Sequence, residues 1–168
     1  ENEYDDFYME KNIPEKLSYE GPKAAIGDVN GDKRDDMYIC GAKNQAGQLY
    51  IQNANGSFTN FKQKIFTEFS IFEDTAASFF DADNDGDLDM ISGEGPTGNG
   101  GYWYYKNVGT ASSPSFNGKV FNPFGLTSLN DSTTQPVFAD LDNDGDIDLL
   151  SGEGPSGDGG YWYYKNVG

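Results

Sequence analysis

Asp81-Ala-Asp-Asn-Asp-Gly-Asp-Leu-Asp-Met-Ile-Ser-Gly-Glu-Gly-Pro-Thr-Gly-Asn-Gly-Gly-Tyr-Trp-Tyr-Tyr-Lys-Asn-Val-Gly109 returns 59 residues later as Asp140–Gly168, with six substitutions in 29 positions. A more divergent copy opens at Asp28, in Gly27-Asp-Val-Asn-Gly-Asp-Lys-Arg-Asp-Asp36, 53 residues before Asp81. Three units therefore fill the chain, and a repeat of this length is the signature of four-stranded propeller blades.

Each unit reads as a run of short strands. In the third, Gln135-Pro-Val-Phe-Ala139 leads into the acidic loop and Ile147-Asp-Leu-Leu-Ser151 follows it. The Gly-rich segment 154–160 is a flexible connection, and Tyr161-Trp-Tyr-Tyr-Lys165 is a third strand, with Tyr161 and Tyr163 on one face and Trp162 and Tyr164 on the other. Fourth strands are expected around Ser115–Phe121 and Ser57–Phe61 in the second and first units. No stretch carries a sustained helical period.

The expected fold is all-β, a β-propeller (half-)domain with three blades over residues 21–67, 74–125 and 133–168. The third unit lacks a fourth strand, whereas the N-terminus has a spare one over residues 3–11, placed to complete the last blade. Propellers close with about 4–8 blades. Either two copies pair as a homodimer closing a six-bladed ring, or the chain is an excerpt of a longer propeller. The spare strand favours pairing.

Composition narrows the function. Eleven Lys and Arg face 28 Asp and Glu, a net charge of −17 that repels nucleic acid and anionic lipid and attracts cations. Aromatic residues at 15% are too many for a disordered acidic tail, and they favour strands. No stretch approaches the ~20 apolar residues of a membrane span. The chain has no His, which removes histidine bases and His-metal sites, and the single Cys40 reads as a small buried residue.

The three acidic loops share one spacing of oxygen donors. Positions 1, 3, 5 and 9 are Asp28, Asn30, Asp32 and Asp36 in the first loop, Asp81, Asp83, Asp85 and Asp89 in the second, and Asp140, Asp142, Asp144 and Asp148 in the third. Position 7 (Arg34, Asp87, Asp146) would offer its backbone carbonyl. Such a set suits Ca²⁺, which takes about 6–8 oxygens in flexible geometry, whereas Mg²⁺ demands stricter octahedral order. The expectation is three sites, one per blade. Position 12 is Ile39, Ser92 or Ser151, which excludes the helix-loop-helix calcium hand and its bidentate Glu. Lys33 stands where the other loops have Gly86 and Gly145, straining the turn and adding positive charge.

Phe80-Asp-Ala-Asp-Asn-Asp-Gly-Asp-Leu-Asp89 and Phe138-Ala-Asp-Leu-Asp-Asn-Asp-Gly-Asp-Ile-Asp148 resemble FG-GAP (VCBS-type) repeats, the blades of integrin α-subunit-like propellers. The resemblance implies that the acidic loop joins the first two strands of a blade and holds a structural calcium. The Tyr-Tyr-Lys-Asn-Val-Gly ending is similar to that of bacterial secreted members.

A structural calcium points outside the cell, where the ion is abundant, and the sequons at Asn55 and Asn130 fit that location. The expectation is a secreted or cell-surface, non-catalytic module for protein binding, adhesion or self-assembly. The alternative is a lectin-like carbohydrate binder, or an accessory domain of a polysaccharide-degrading enzyme. Its ligand surface would stack Trp103 and Trp162 on sugar rings while Glu94, Glu153, Asn99 and Asp158 accept hydroxyl hydrogens. Against it, strand aromatics are usually core, which would make both Trp residues packing between blades.

Overall fold

Short alternating runs separated by Gly- and Asp-rich turns form three antiparallel sheets in the computed structural model, which describes residues 22–68, 70–95, 99–110, 112–129, 133–153 and 160–167. Sheet one is β1 (Ala24–Gly27), β2 (Asp36–Ile39), β3 (Gln48–Gln52) and β4 (Phe58–Asn60). Sheet two is β5 (Asp74–Phe80), β6 (Asp89–Glu94), β7 (Tyr102–Asn107) and β8 (Phe116–Phe121). Sheet three is β9 (Thr134–Ala139), β10 (Asp148–Glu153) and β11 (Tyr161–Tyr164). Each is a meander whose strands pair in chain order. The N-terminal strand expected over residues 3–11 lies outside the described residues.

The two-residue period of the strands assigns each sheet two packing faces. Ala25, Tyr38 and Leu49 are cross-strand neighbours in sheet one, and their shared face meets Ala77, Met90 and Tyr105 of sheet two. The opposite face of sheet two carries Ile91 and Tyr102, which pack with Leu149, Phe138 and Tyr164 of sheet three. The first strands lie side by side, β5 between β1 and β9.

Polar groups fasten these junctions. The Asp74 carboxylate accepts the Tyr38 hydroxyl of sheet one at 2.8 Å and the Ser92 hydroxyl at 2.9 Å. Between sheets two and three, the Thr134 hydroxyl donates to the Gly101 carbonyl (2.7 Å) and accepts the Glu94 N–H (3.1 Å), while Thr75 donates to the Thr134 carbonyl (2.5 Å). That approach requires glycine at position 93, where a Cβ would stand 1.9 Å from the Thr134 oxygen.

Two elements depart from the sequence expectation. A one-turn helix, α1 (Lys64–Glu68), follows sheet one, although no helical period marks it. Its Phe66 is buried among Tyr38, Tyr105 and Phe116, with ring centroids 5.0–5.9 Å apart. Five residues are too few to display a 3.6-residue period, and tertiary packing of one aromatic carries the turn. Strand β10 also runs two residues past Ser151, to Glu153.

Candidate metal-binding loops

The acidic loops span the connections β1–β2, β5–β6 and β9–β10, so each joins the first two strands of its sheet. Their internal hydrogen bonds repeat. The position-1 carboxylate accepts the N–H groups of positions 5 and 6: Asp28 from Asp32 and Lys33, Asp81 from Asp85 and Gly86, Asp140 from Asp144 and Gly145, all at 2.7–3.2 Å. Position 5 in turn accepts the N–H of position 7, from Arg34, Asp87 and Asp146.

Left-handed backbone at positions 4 and 6 makes the wrap possible. Loops two and three use Asn84 and Asn143 at φ 58° and 61° and Gly86 and Gly145 at 90° and 95°. Loop one places Gly31 at φ 68° and Lys33 at 66°, so its lysine occupies a conformation that disfavours a Cβ.

The wrap brings carboxylates together. Carboxylate oxygens of Asp81, Asp83 and Asp85 lie within 4.8 Å of one another, and so do those of Asp140, Asp142 and Asp148. Loop one, with Asn30 at position 3, forms no such acidic cluster among the described residues.

The last residue of the spacing, expected to close the site, also acts as a clamp, and Asp148 does so from within the third loop's acidic cluster. Asp36, Asp89 and Asp148 are buried. Asp36 accepts the N–H groups of Val29 and Gln52 at 3.1 and 2.8 Å. Asp89 accepts those of Ala82 (3.3 Å) and Asn107 (2.7 Å) and the Tyr104 hydroxyl (2.7 Å). Asp148 does the same with Leu141, Asn166 and Tyr163. Burial raises the Asp36 and Asp89 carboxyls above the ordinary value, against the backbone N–H groups and, at Asp89, the Tyr104 hydroxyl that pull them down.

Basic side chains reach into all three loops, a feature the sequence reading missed. Lys106, just after Tyr105, pairs with Asp83 and stands 3.9 Å from Asp85. Its repeat equivalent Lys165 pairs with Asp142 and lies 3.0 Å from Asp144. In loop one Arg34 contributes its guanidinium to Asp32. The Asp146 N–H and then Lys165 hold the Asp144 carboxyl below its ordinary value, and the two carboxylates raise the Lys165 ammonium in return. The recurrence of Lys in both Tyr-Tyr-Lys-Asn-Val-Gly endings was the available signal.

The possible ligand surface divides. Glu94 is 1% exposed, its oxygens accepting the Asn99 N–H at 2.6 Å and the Trp103 indole N–H at 3.2 Å. Trp103 itself packs against Phe72 and Phe121 and lies beneath the Lys119 ammonium, 4.0 Å from its ring centroid. Trp162, by contrast, is 47% exposed on β11. The side chain of Glu153, with Asp158 and Asn130, lies outside the described residues, while Asn55 is exposed on the β3–β4 turn. Cys40 is buried, and burial pushes its thiol up.

Tandem antiparallel sheets, each opened by the same Asp-rich loop, define an all-β repeat protein. The chain belongs to the FG-GAP-like repeat family, whose model matches residues 28–92 and again 81–151. No curated protein and no solved structure matches it. Among the described residues no helix is long and apolar enough to cross a membrane.

Proposed function

We propose that the chain is a calcium-stabilised, propeller-type module that acts outside the cell by binding protein, other copies of itself included, and carries no catalytic role. The observation behind this reading is the recurrence of one loop architecture in all three sheets, which in two of them converges three carboxylates. Hard oxygens at this spacing suit Ca²⁺. Asp81, Asp83 and Asp85, and Asp140, Asp142, Asp144 and Asp148, would hold the ion, with the carbonyls of Asp87 and Asp146 added and Asp89 anchoring its loop from beneath. The first loop would use Asp28, Asn30 and Asp32 with the Arg34 carbonyl. An ion bound there neutralises the like charges that the wrap brings together and pins the turn between the first two strands of each sheet.

Thermal unfolding with calcium, with magnesium and with chelator tests this. Saturation at 100 times Kd would add about 2.7 kcal/mol per site, so a clear upward Tm shift specific to calcium is expected. Identical melting under all three conditions would sink the reading. The extracellular setting draws on the family and on the abundance of calcium there; the glycan-binding alternative keeps only the exposed aromatic residues of sheet three, since Glu94 and Trp103 are spent inside sheet two.

A further inference from the structure

The three sheets stack in one sense, so each has a face toward its predecessor and a face toward its successor. Positions related by the 53- and 59-residue repeats make corresponding contacts at both junctions. At the end of β1, Gly27 lies against Phe79 of sheet two, where a Cβ would stand 3.4 Å from that ring. Phe80, the equivalent of Gly27, stacks on Phe138, the equivalent of Phe79, with centroids 4.2 Å apart and planes at 15°. The next step of the series sets Ala139, the equivalent of Phe80, against Ile26, the equivalent of Phe138. Within one chain these two stand at opposite ends of the stack, and both are exposed, Ile26 at 66%.

The rest of both faces follows the same rule. Tyr102 of sheet two is fully buried beneath sheet three, but its equivalent Tyr161 is 79% exposed. Tyr104 is buried, and its equivalent Tyr163 is 48% exposed. On sheet one, Met37 and Tyr50 pair across β2 and β3 as the buried Met90 and Tyr105 do across β6 and β7, yet they are only half-buried. Among the described residues, two apolar faces thus stand open whose chemistry matches the two sides of the internal junctions. Exposed faces of this kind mark association sites.

Resting on the propeller reading above, we infer that the outer face of sheet three docks on the outer face of sheet one in a second copy of this chain. The contact is head-to-tail, and made twice it closes a ring of six sheets, within the usual range of about 4–8. Ala139 of one copy meets Ile26 of the other.

Light scattering on the wild-type chain should give a mass near twice 18.4 kDa. Ile26→Asp, at an open position, should halve that mass while the far-UV spectrum and a cooperative melt of the folded chain are retained, at a Tm lowered by the loss of the partner. Under mild oxidation, a mixture of Ile26→Cys and Ala139→Cys chains should form a covalent pair, whereas neither variant should crosslink to itself. A monomeric mass across the accessible concentration range would overturn the docking, and so would self-crosslinking of either single variant. These outcomes separate from those of the calcium reading: a monomer that calcium stabilises defeats the docking alone, and a dimer whose Tm calcium leaves unchanged defeats the metal sites alone.

Discussion

The Asp89 carboxylate receives the Asn107 backbone N–H on one oxygen and the Tyr104 hydroxyl on the other, each at 2.7 Å, so one buried side chain fastens the acidic loop to β7. Asp36 and Asp148 repeat the arrangement toward Gln52 and Asn166, at 2.8 Å each. Removing such an acceptor strands buried donors at about 1–3 kcal/mol apiece. Asp89→Ala is therefore expected to cost about 3 kcal/mol or more in urea unfolding under chelation, well beyond the cost of Asp83→Ala on the exposed loop. Equal costs for the two would show that the clamp is not structural.

Lys106 and Lys165 put an ammonium where a bound cation would draw on the same carboxylates. An ion entering either loop must displace it or share its partners, so the two compete. Lys106→Met should tighten calcium binding at the second loop several-fold in a calorimetric titration and lower the stability of the metal-free chain slightly. Exposed ion pairs contribute only about 0–1 kcal/mol, which bounds the second effect. Weaker calcium binding in Lys106→Met would mean that the lysine orders the loop for the ion and does not oppose it.

Loop one carries its lysine at position 6, with Lys33 at φ 66° where the other loops carry Gly86 and Gly145. A side chain held in left-handed backbone costs about 1–2 kcal/mol, part of which glycine returns as extra freedom of the unfolded chain. Lys33→Gly should raise stability by up to about 1 kcal/mol and, by removing a positive charge, favour cation binding at Asp28, Asn30 and Asp32. A fall in Tm would show that the Lys33 side chain contributes more than its backbone strain costs.

The sheets were legible because two signals coincided: alternation in runs such as Tyr161–Tyr164, and turns marked by Gly and Asp at the same offsets in every unit. The loop position between first and second strands was legible for the same reason. What the sequence concealed lies in three dimensions. A carboxylate that ligates a cation and one that clamps backbone N–H groups have the same spacing in a string, so the clamping role of Asp89 was invisible. Glu94 ends β6 just before a Gly-rich stretch, which reads as solvent, yet the Asn99 N–H and the Trp103 indole both bond its carboxylate. Lys106 meets Asp83 across 23 residues, and only its return as Lys165 hinted at a role. Phe66 anchors a single helical turn too short to leave a period.

Lys119 gives the fold a pH signature. Its ammonium lies over the Trp103 ring with Phe72 and Tyr105 beside it, and loss of solvation lowers it from 10.5 to about 8, against the opposing pull of Asp74 and Glu94. Below pH 8 the folded chain bears the full cost of that buried charge. Between the two values the unfolded chain binds more protons than the folded one, so stability rises with pH. The opposite sign holds for Cys40 and for Tyr38, Tyr102, Tyr104 and Tyr105, which burial raises above their ordinary 9.0 and 10.0; their contribution is present below those values and fades as pH climbs past them. Urea midpoints measured from pH 7 to pH 11 should therefore climb from about pH 8, turn over between about 9 and 10, and then fall. In Lys119→Met the rise should vanish while the fall persists. A rise unchanged in that variant would assign it to another group.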